Sequence, residues 1–126
     1  MIGIDVGGAN LKVITGSSVD IHYCPLWQKS PLTDLLSCYG GESAAVVMSG
    51  ELADGFANKA EGIRYIVDAV RAAIPDAVFY GTDGCFHRRA DRSLAAANWL
   101  ASADYLREVF PNGILVDTGS TTTDII

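Results

Sequence analysis

Apolar residues alternate with polar or small ones over residues 1–6, 10–16 and 18–24, which predicts three short strands turning at Gly7-Gly8 and near Gly16-Ser17-Ser18. Turns that tight make the strands antiparallel. Ser30-Pro31 reads as an N-cap followed by proline at the first helical position, and Leu32, Leu35 and Leu36 form a short apolar stripe that Gly40-Gly41 ends. Ser43–Met48 is a compact apolar run, expected as a strand buried on both faces. Asn58 with Glu61 has the form of a capping box, and Ile63, Ile66, Val67, Val70 and Ile74 follow at helical spacing before Pro75. Ala77–Tyr80 predicts another strand, then a glycine-rich turn. An alanine-rich helix is expected over 90–110, interrupted near Ser102 and burying Trp99, and a final hairpin from Gly113.

Three meandering strands followed by alternating helices and strands predict an α/β fold, a mixed sheet with helices on both faces, as in a ribonuclease-H-like domain. Residues 1–112 would form an N-terminal lobe carrying the first hairpin, and 113–126 the second hairpin, at the start of a second lobe. The chain ends in mid-strand on Ile125-Ile126. That ending is expected of the first part of a longer protein, with a C-terminal lobe to follow.

Residues 2–14 align without a gap on residues 114–126. Each copy runs from an apolar stretch to an acid (Asp5, Asp117), a glycine two residues later (Gly7, Gly119), small polar residues and a second apolar stretch. Such turns aim several backbone N–H groups at one point, because glycine tolerates positive φ and offers no side chain to obstruct an anion. A single motif of this kind is commonly just a hairpin turn. Two copies across a cleft would grip a phosphate chain and its metal from both sides.

Composition narrows the partners. With 126 residues and 49% hydrophobic content, one domain can build a real core. A net charge of −6 and no basic run beyond Arg88-Arg89 argue against nucleic acid or an anionic membrane. No apolar stretch approaches the ~20 residues that span a bilayer, and no secretory leader opens the chain, so a cytoplasmic protein is expected. Cys24, Cys38 and Cys85 form no CxxC and read as reduced, buried thiols, and His22 and His87 are isolated.

In an open sheet, ligands gather beyond the carboxyl ends of the parallel strands. Four acids are expected there: Asp5, Glu51, Asp83 and Asp117. Their repulsion calls for a cation, and Mg²⁺ carrying a phosphate oxygen suits it. Asp5 and Asp117 are the expected metal ligands, directly or through water. Gly7, Gly8, Ala9, Gly119, Ser120 and Thr121 would donate N–H groups to phosphate, and Asn10, Thr121 and Thr122 side-chain groups. Lys12 would reach a phosphate or pair with an acid such as Asp124, depending on strand register. Glu51 and Asp83 are candidate general bases by location.

The pair Asp5-Val-Gly-Gly-Ala-Asn-Leu-Lys12 and Asp117-Thr-Gly-Ser-Thr-Thr-Thr-Asp124 resembles the phosphate hairpins of the actin, sugar kinase and Hsp70 superfamily. Gly-Ser-Thr-Thr-Thr-Asp is similar to its hydantoinase A/oxoprolinase branch. Met48–Asp54, Asn58–Gly62, Ala97–Ala101 and the opening Ile2–Asn10 resemble the tetrahydromethanopterin-linked C1 transfer proteins, whose archaeal members make methanofuran. The resemblance implies an actin-like N-terminal lobe and a Mg²⁺-dependent transferase. It would join an aminomethylfuran diphosphate to the phenol oxygen of γ-glutamyltyramine and release pyrophosphate. The two hairpins would then hold the diphosphate of a small-molecule substrate.

Two other classes compete. An ATP-using small-molecule kinase or oxoprolinase-type amide hydrolase would place ATP between the hairpins, and a nucleotide-gated binding module would use the same grip without chemistry. The pattern leaves room for a homodimer. The superfamily's base-binding site lies beyond the second hairpin, so these residues alone are not expected to turn over.

Overall fold

The structure, a computed structural model, describes residues 1–28, 30–118 and 123–126. Strands β1 (Ile2–Val6), β2 (Asn10–Thr15) and β3 (Ser18–Tyr23) form the antiparallel meander, and β4 (Ala44–Met48) and β5 (Val78–Tyr80) run parallel to β1. With the short β6 (Phe86–His87) antiparallel to β5, the sheet order is β3-β2-β1-β4-β5-β6. The sheet is mixed and the fold α/β. Strand β6 is absent from the sequence reading, where the segment after Tyr80 is only a turn. Two residues are too few to show an alternation.

Helices α1 (Leu32–Ser37) and α2 (Lys59–Ala73) cover one face. Ile2, Ile4, Val6, Leu11 and Val13 from the hairpin meet Leu32 and Leu36 of α1 and Ile63, Ile66 and Val70 of α2 in one core. Each such side chain taken from water contributes about 1.5–3 kcal/mol, and this face supplies most of the fold's stability. Alternation sends every second residue to the other face, so Ala45 and Val47 are half-buried and β4 is not buried on both sides as its sequence suggests.

The capping of α2 follows its sequence. Asn58 Oδ1 accepts from the Glu61 N–H at 3.0 Å, and Glu61 Oε2 accepts from the Ala57 N–H at 2.9 Å. At α1 the expectation fails: Pro31 occupies the cap position, and the Ser30 hydroxyl donates instead to the Pro25 carbonyl at 2.5 Å.

The third helix, α3 (Asn98–Leu106), is shorter than its alanine content suggests. Asp91 caps a single 3₁₀ turn at Arg92–Leu94, and Ala96 has φ +48°, which stops helical propagation ahead of Asn98. The break falls there and not at Ser102, whose hydroxyl donates to the Asn98 carbonyl within α3. Trp99 is 37% exposed, so it is no core residue. Among the cysteines Cys24 is buried, but Cys38 and Cys85 are exposed. A separate ribbon, β7 (Val116–Thr118) with β8 (Thr123–Ile125), closes the chain. No helix of the described residues is long and apolar enough to cross a membrane.

Candidate functional site

The first hairpin puts its chemistry on the sheet face away from α1 and α2. Asp5 and Lys12 are register partners and so share that face, and Lys12 Nζ lies 2.9 Å from Asp5 Oδ2. Lys12 therefore pairs with Asp5 and not with Asp124. The other Asp5 oxygen, Oδ1, is buried and has no hydrogen-bond partner. A bare carboxylate oxygen out of water is costly unless a cation or donor joins it.

The turn is held from beneath. The Val6 carbonyl accepts from the N–H groups of Ser49 and Gly50 at 3.0 and 3.1 Å, while the carbonyls of Gly8 and Ala9 accept from the N–H groups of Leu26 at 3.0 Å and Cys24 at 2.8 Å. Gly8 and Ala9 donate to no backbone carbonyl among the described residues, which leaves their N–H groups for a ligand. Gly7 differs, because its N–H is taken by the Asn10 carbonyl at 3.0 Å. Nor is positive φ the reason for these glycines, since positive φ occurs at Gly16, Gly41 and Gly84 instead. A Cβ on Gly7 would stand 3.0 Å from the Asn10 carbonyl oxygen, whereas one on Gly8 would meet nothing within 4 Å. Asn10 is exposed at the start of β2.

Asp117, on β7, faces the same space. A cavity of about 460 Å³ is lined by Asp5, Lys12, Asn98, Ser102, Tyr105 and Asp117, with Val47 and Ala101 completing its wall. Asp117 is also the cross-strand partner of Asp124, two like charges on one face, an arrangement that costs stability without a counter-ion. Gly119, Ser120, Thr121 and Thr122 lie outside the described residues.

The candidate bases stand elsewhere. Glu51 is fully buried, and neither carboxyl oxygen has a partner. Burial pushes its carboxyl above the ordinary range, only partly offset by the nearby N–H groups of Glu51 and Ala96 and the charge of Lys59. Its backbone is clamped by α2, for a Cβ on Gly62 would lie 2.1 Å from the Glu51 carbonyl oxygen. Asp83 sits in the exposed turn after β5. It holds His87 Nε2 at 3.0 Å, and that contact, with the Cys85 N–H, keeps the Asp83 carboxyl below its usual range. Ser93 Oγ reaches the same Nε2 at 3.3 Å, so the three are not a nucleophile relay, which needs both ring nitrogens. Neither Glu51 nor Asp83 lines the cavity shared by Asp5 and Asp117. The pairing of His87 escaped the sequence reading, although His87 lies only four residues from Asp83.

Residues 42–126, two-thirds of the chain and including the second hairpin, match the family model described as hydantoinase/oxoprolinase. The chain belongs to the hydantoinase/oxoprolinase family. Within that setting it is 40% identical over 140 aligned positions to (4-{4-[2-(gamma-L-glutamylamino)ethyl]phenoxymethyl}furan-2-yl)methanamine synthase of Methanocaldococcus jannaschii. The alignment takes in all of this chain and 42% of that relative, so the chain spans less than half of the relative's length.

The family match takes in the second hairpin, and the geometry sets Asp117 of that hairpin on the same cavity as Asp5 of the first. For a divalent cation the residues fit: Lys12 takes only Asp5 Oδ2 and leaves Oδ1 without a partner, and Asp117 stands opposite the like charge of Asp124. Among the described residues no three His, Cys, Asp or Glu side chains could hold an ion by themselves. An ion here would keep water or phosphate oxygens as most of its ligands, which is the habit of Mg²⁺ rather than of zinc.

Proposed function

We propose that the chain binds Mg²⁺ and the diphosphate of a small-molecule ester between its two hairpins, and serves a transferase of methanofuran-type cofactor synthesis. One observation carries the reading. Asp5 with an orphaned oxygen, Lys12 and Asp117 line a single cavity, and in the turn that follows Asp5 the Gly8 and Ala9 N–H groups donate to no backbone carbonyl among the described residues. The proposed fold is the ribonuclease-H-like N-terminal lobe of an actin-like enzyme, which the strand order β3-β2-β1-β4-β5 supports.

In the reaction, a phenol oxygen gives up its proton and bonds the methylene carbon of an aminomethylfuran diphosphate. The carbon–oxygen bond to the diphosphate breaks, and pyrophosphate leaves with the electron pair. Mg²⁺ at Asp5 and Asp117 would neutralise charge on the departing oxygens. Lys12 and the N–H groups of Gly8 and Ala9 bind those oxygens, and donors fixed in place before reaction are what stabilise a developing charge. Gly119, Ser120, Thr121 and Thr122, which lie outside the described residues, would supply further donors to the phosphates. For the phenol proton, Asp83 is the acid open to solvent, with His87 beside it, while Glu51 is sealed in the interior.

The relative's name supports this choice, since its product joins a phenoxy group to a furan-2-yl-methanamine. The second reading, ATP-dependent hydrolysis or phosphoryl transfer with Glu51 or Asp83 as base, is favoured by the family description alone. Incubation of the longest form of the protein with an aminomethylfuran diphosphate, γ-glutamyltyramine and ATP decides between them. Ether product with one pyrophosphate released supports transfer. Turnover that instead consumes ATP overturns it.

A further inference from the structure

Gly3 stands in the middle of β1, where a glycine weakens a strand. A Cβ there would lie 2.6 Å from Ile14 Cγ2. Its partner on β4 is Ala45, so two small residues side by side leave a low floor on the sheet face that carries Asp5. Ile14 rises on one side, and Tyr80 and Phe86 on the other, around a cavity of about 420 Å³. The two rings meet edge to face, with centroids 5.2 Å apart at 64°. Tyr80 is fixed further by its hydroxyl, which donates to Asp104.

This trough does not end at the sheet edge. It shares Asp5, Lys12, Val47 and Ala101 with the cavity assigned above to the diphosphate. A molecule with its phosphates at Lys12 therefore has one apolar, aromatic-walled channel into which an attached group can extend. The size is that of a small-ligand site.

We propose that this trough seats the organic group of the phosphate ester and selects a flat aromatic or heteroaromatic ring, with Phe86 and Tyr80 as its wall and Gly3 and Ala45 as its floor. The inference rests on the diphosphate reading and extends it to specificity. A ring standing against Tyr80 and Phe86 gains edge-to-face contact and leaves water, which a methyl group cannot match.

The test is calorimetry on the chain with Mg²⁺ and three probes: inorganic pyrophosphate, methyl diphosphate and benzyl diphosphate. The benzyl ester should bind about ten-fold more tightly than the methyl ester. Phe86→Ala should bring that ratio close to one. Phe86 is 59% exposed, so its replacement does not open the core. Equal affinity for the two esters, with pyrophosphate still bound, overturns the trough and leaves the diphosphate site standing. Absence of pyrophosphate binding removes both.

Discussion

Asp5 and Lys12 face one another across the first hairpin, with Nζ 2.9 Å from Oδ2, and this pair splits the two Asp5 oxygens into different roles. Oδ2 is satisfied by the ammonium, and Oδ1 is left buried and bare. The half-exposed pair itself adds little to stability.

Lys12→Met is expected to weaken pyrophosphate binding about ten-fold, the loss of one charge-assisted contact, while leaving the Mg²⁺ requirement in place. Titrating pyrophosphate at several Mg²⁺ concentrations separates the two effects. Loss of the Mg²⁺ requirement itself would show that Lys12, and not Asp5, organises the ion.

Gly8 and Gly62 should respond to alanine in opposite ways. A Cβ on Gly8 meets nothing within 4 Å, so Gly8→Ala should unfold at an unchanged urea midpoint yet bind pyrophosphate less tightly. Gly62 lies inside α2, where alanine ordinarily gains about 1 kcal/mol. Its Cβ would instead stand 2.1 Å from backbone at Glu51, and Gly62→Ala should lose about 2 kcal/mol or more. Equal midpoints for both variants would remove the argument.

Glu51 ties stability to pH. Its carboxyl is raised above the ordinary 4.5 by burial, so above that value the unfolded chain ionises while the folded one keeps its proton. The folded state then holds more protons, and stability falls as pH rises from about 4.5 through the raised folded value. Glu51→Gln cannot ionise. Its advantage over the parent in urea unfolding should be small at roughly pH 4 and larger at roughly pH 8. A constant difference would mean that Glu51 is charged in the folded state.

Asp83 titrates below its ordinary 3.8 because His87 and the Cys85 N–H stabilise the carboxylate. Carboxyl carbon shifts followed by NMR should give a depressed midpoint that moves back toward 3.8 in His87→Ala. An unchanged midpoint would leave the Cys85 contact as the whole cause.

The first hairpin was legible in sequence because its determinants are local: alternation, an acid at the tip and glycines at the turn. Face assignment was not, since only the Asp5–Lys12 register puts the lysine beside the acid. The reason for the glycines also lay out of view. Gly7 answers to the Asn10 carbonyl and Gly50 to the Gly7 carbonyl, where a Cβ would come within 2.7 Å, contacts that no spacing rule reports. Spacing likewise does not report the burial of Glu51, read from sequence as an acid at the ligand edge, whose backbone packs closely on Gly62 of α2. Residues 90–97 had helical composition, yet the Asp91 cap and the left-handed Ala96 confine that segment to one short turn.

The central claim is a Mg²⁺–diphosphate site built on Asp5, and calorimetric titration of pyrophosphate with and without Mg²⁺, in parent and Asp5→Asn, tests it most directly. The account predicts Mg²⁺-dependent binding that Asp5→Asn abolishes without lowering the unfolding midpoint, and weaker binding of a non-hydrolysable ATP analogue. Pyrophosphate binding that ignores both Mg²⁺ and the Asp5 substitution would contradict it.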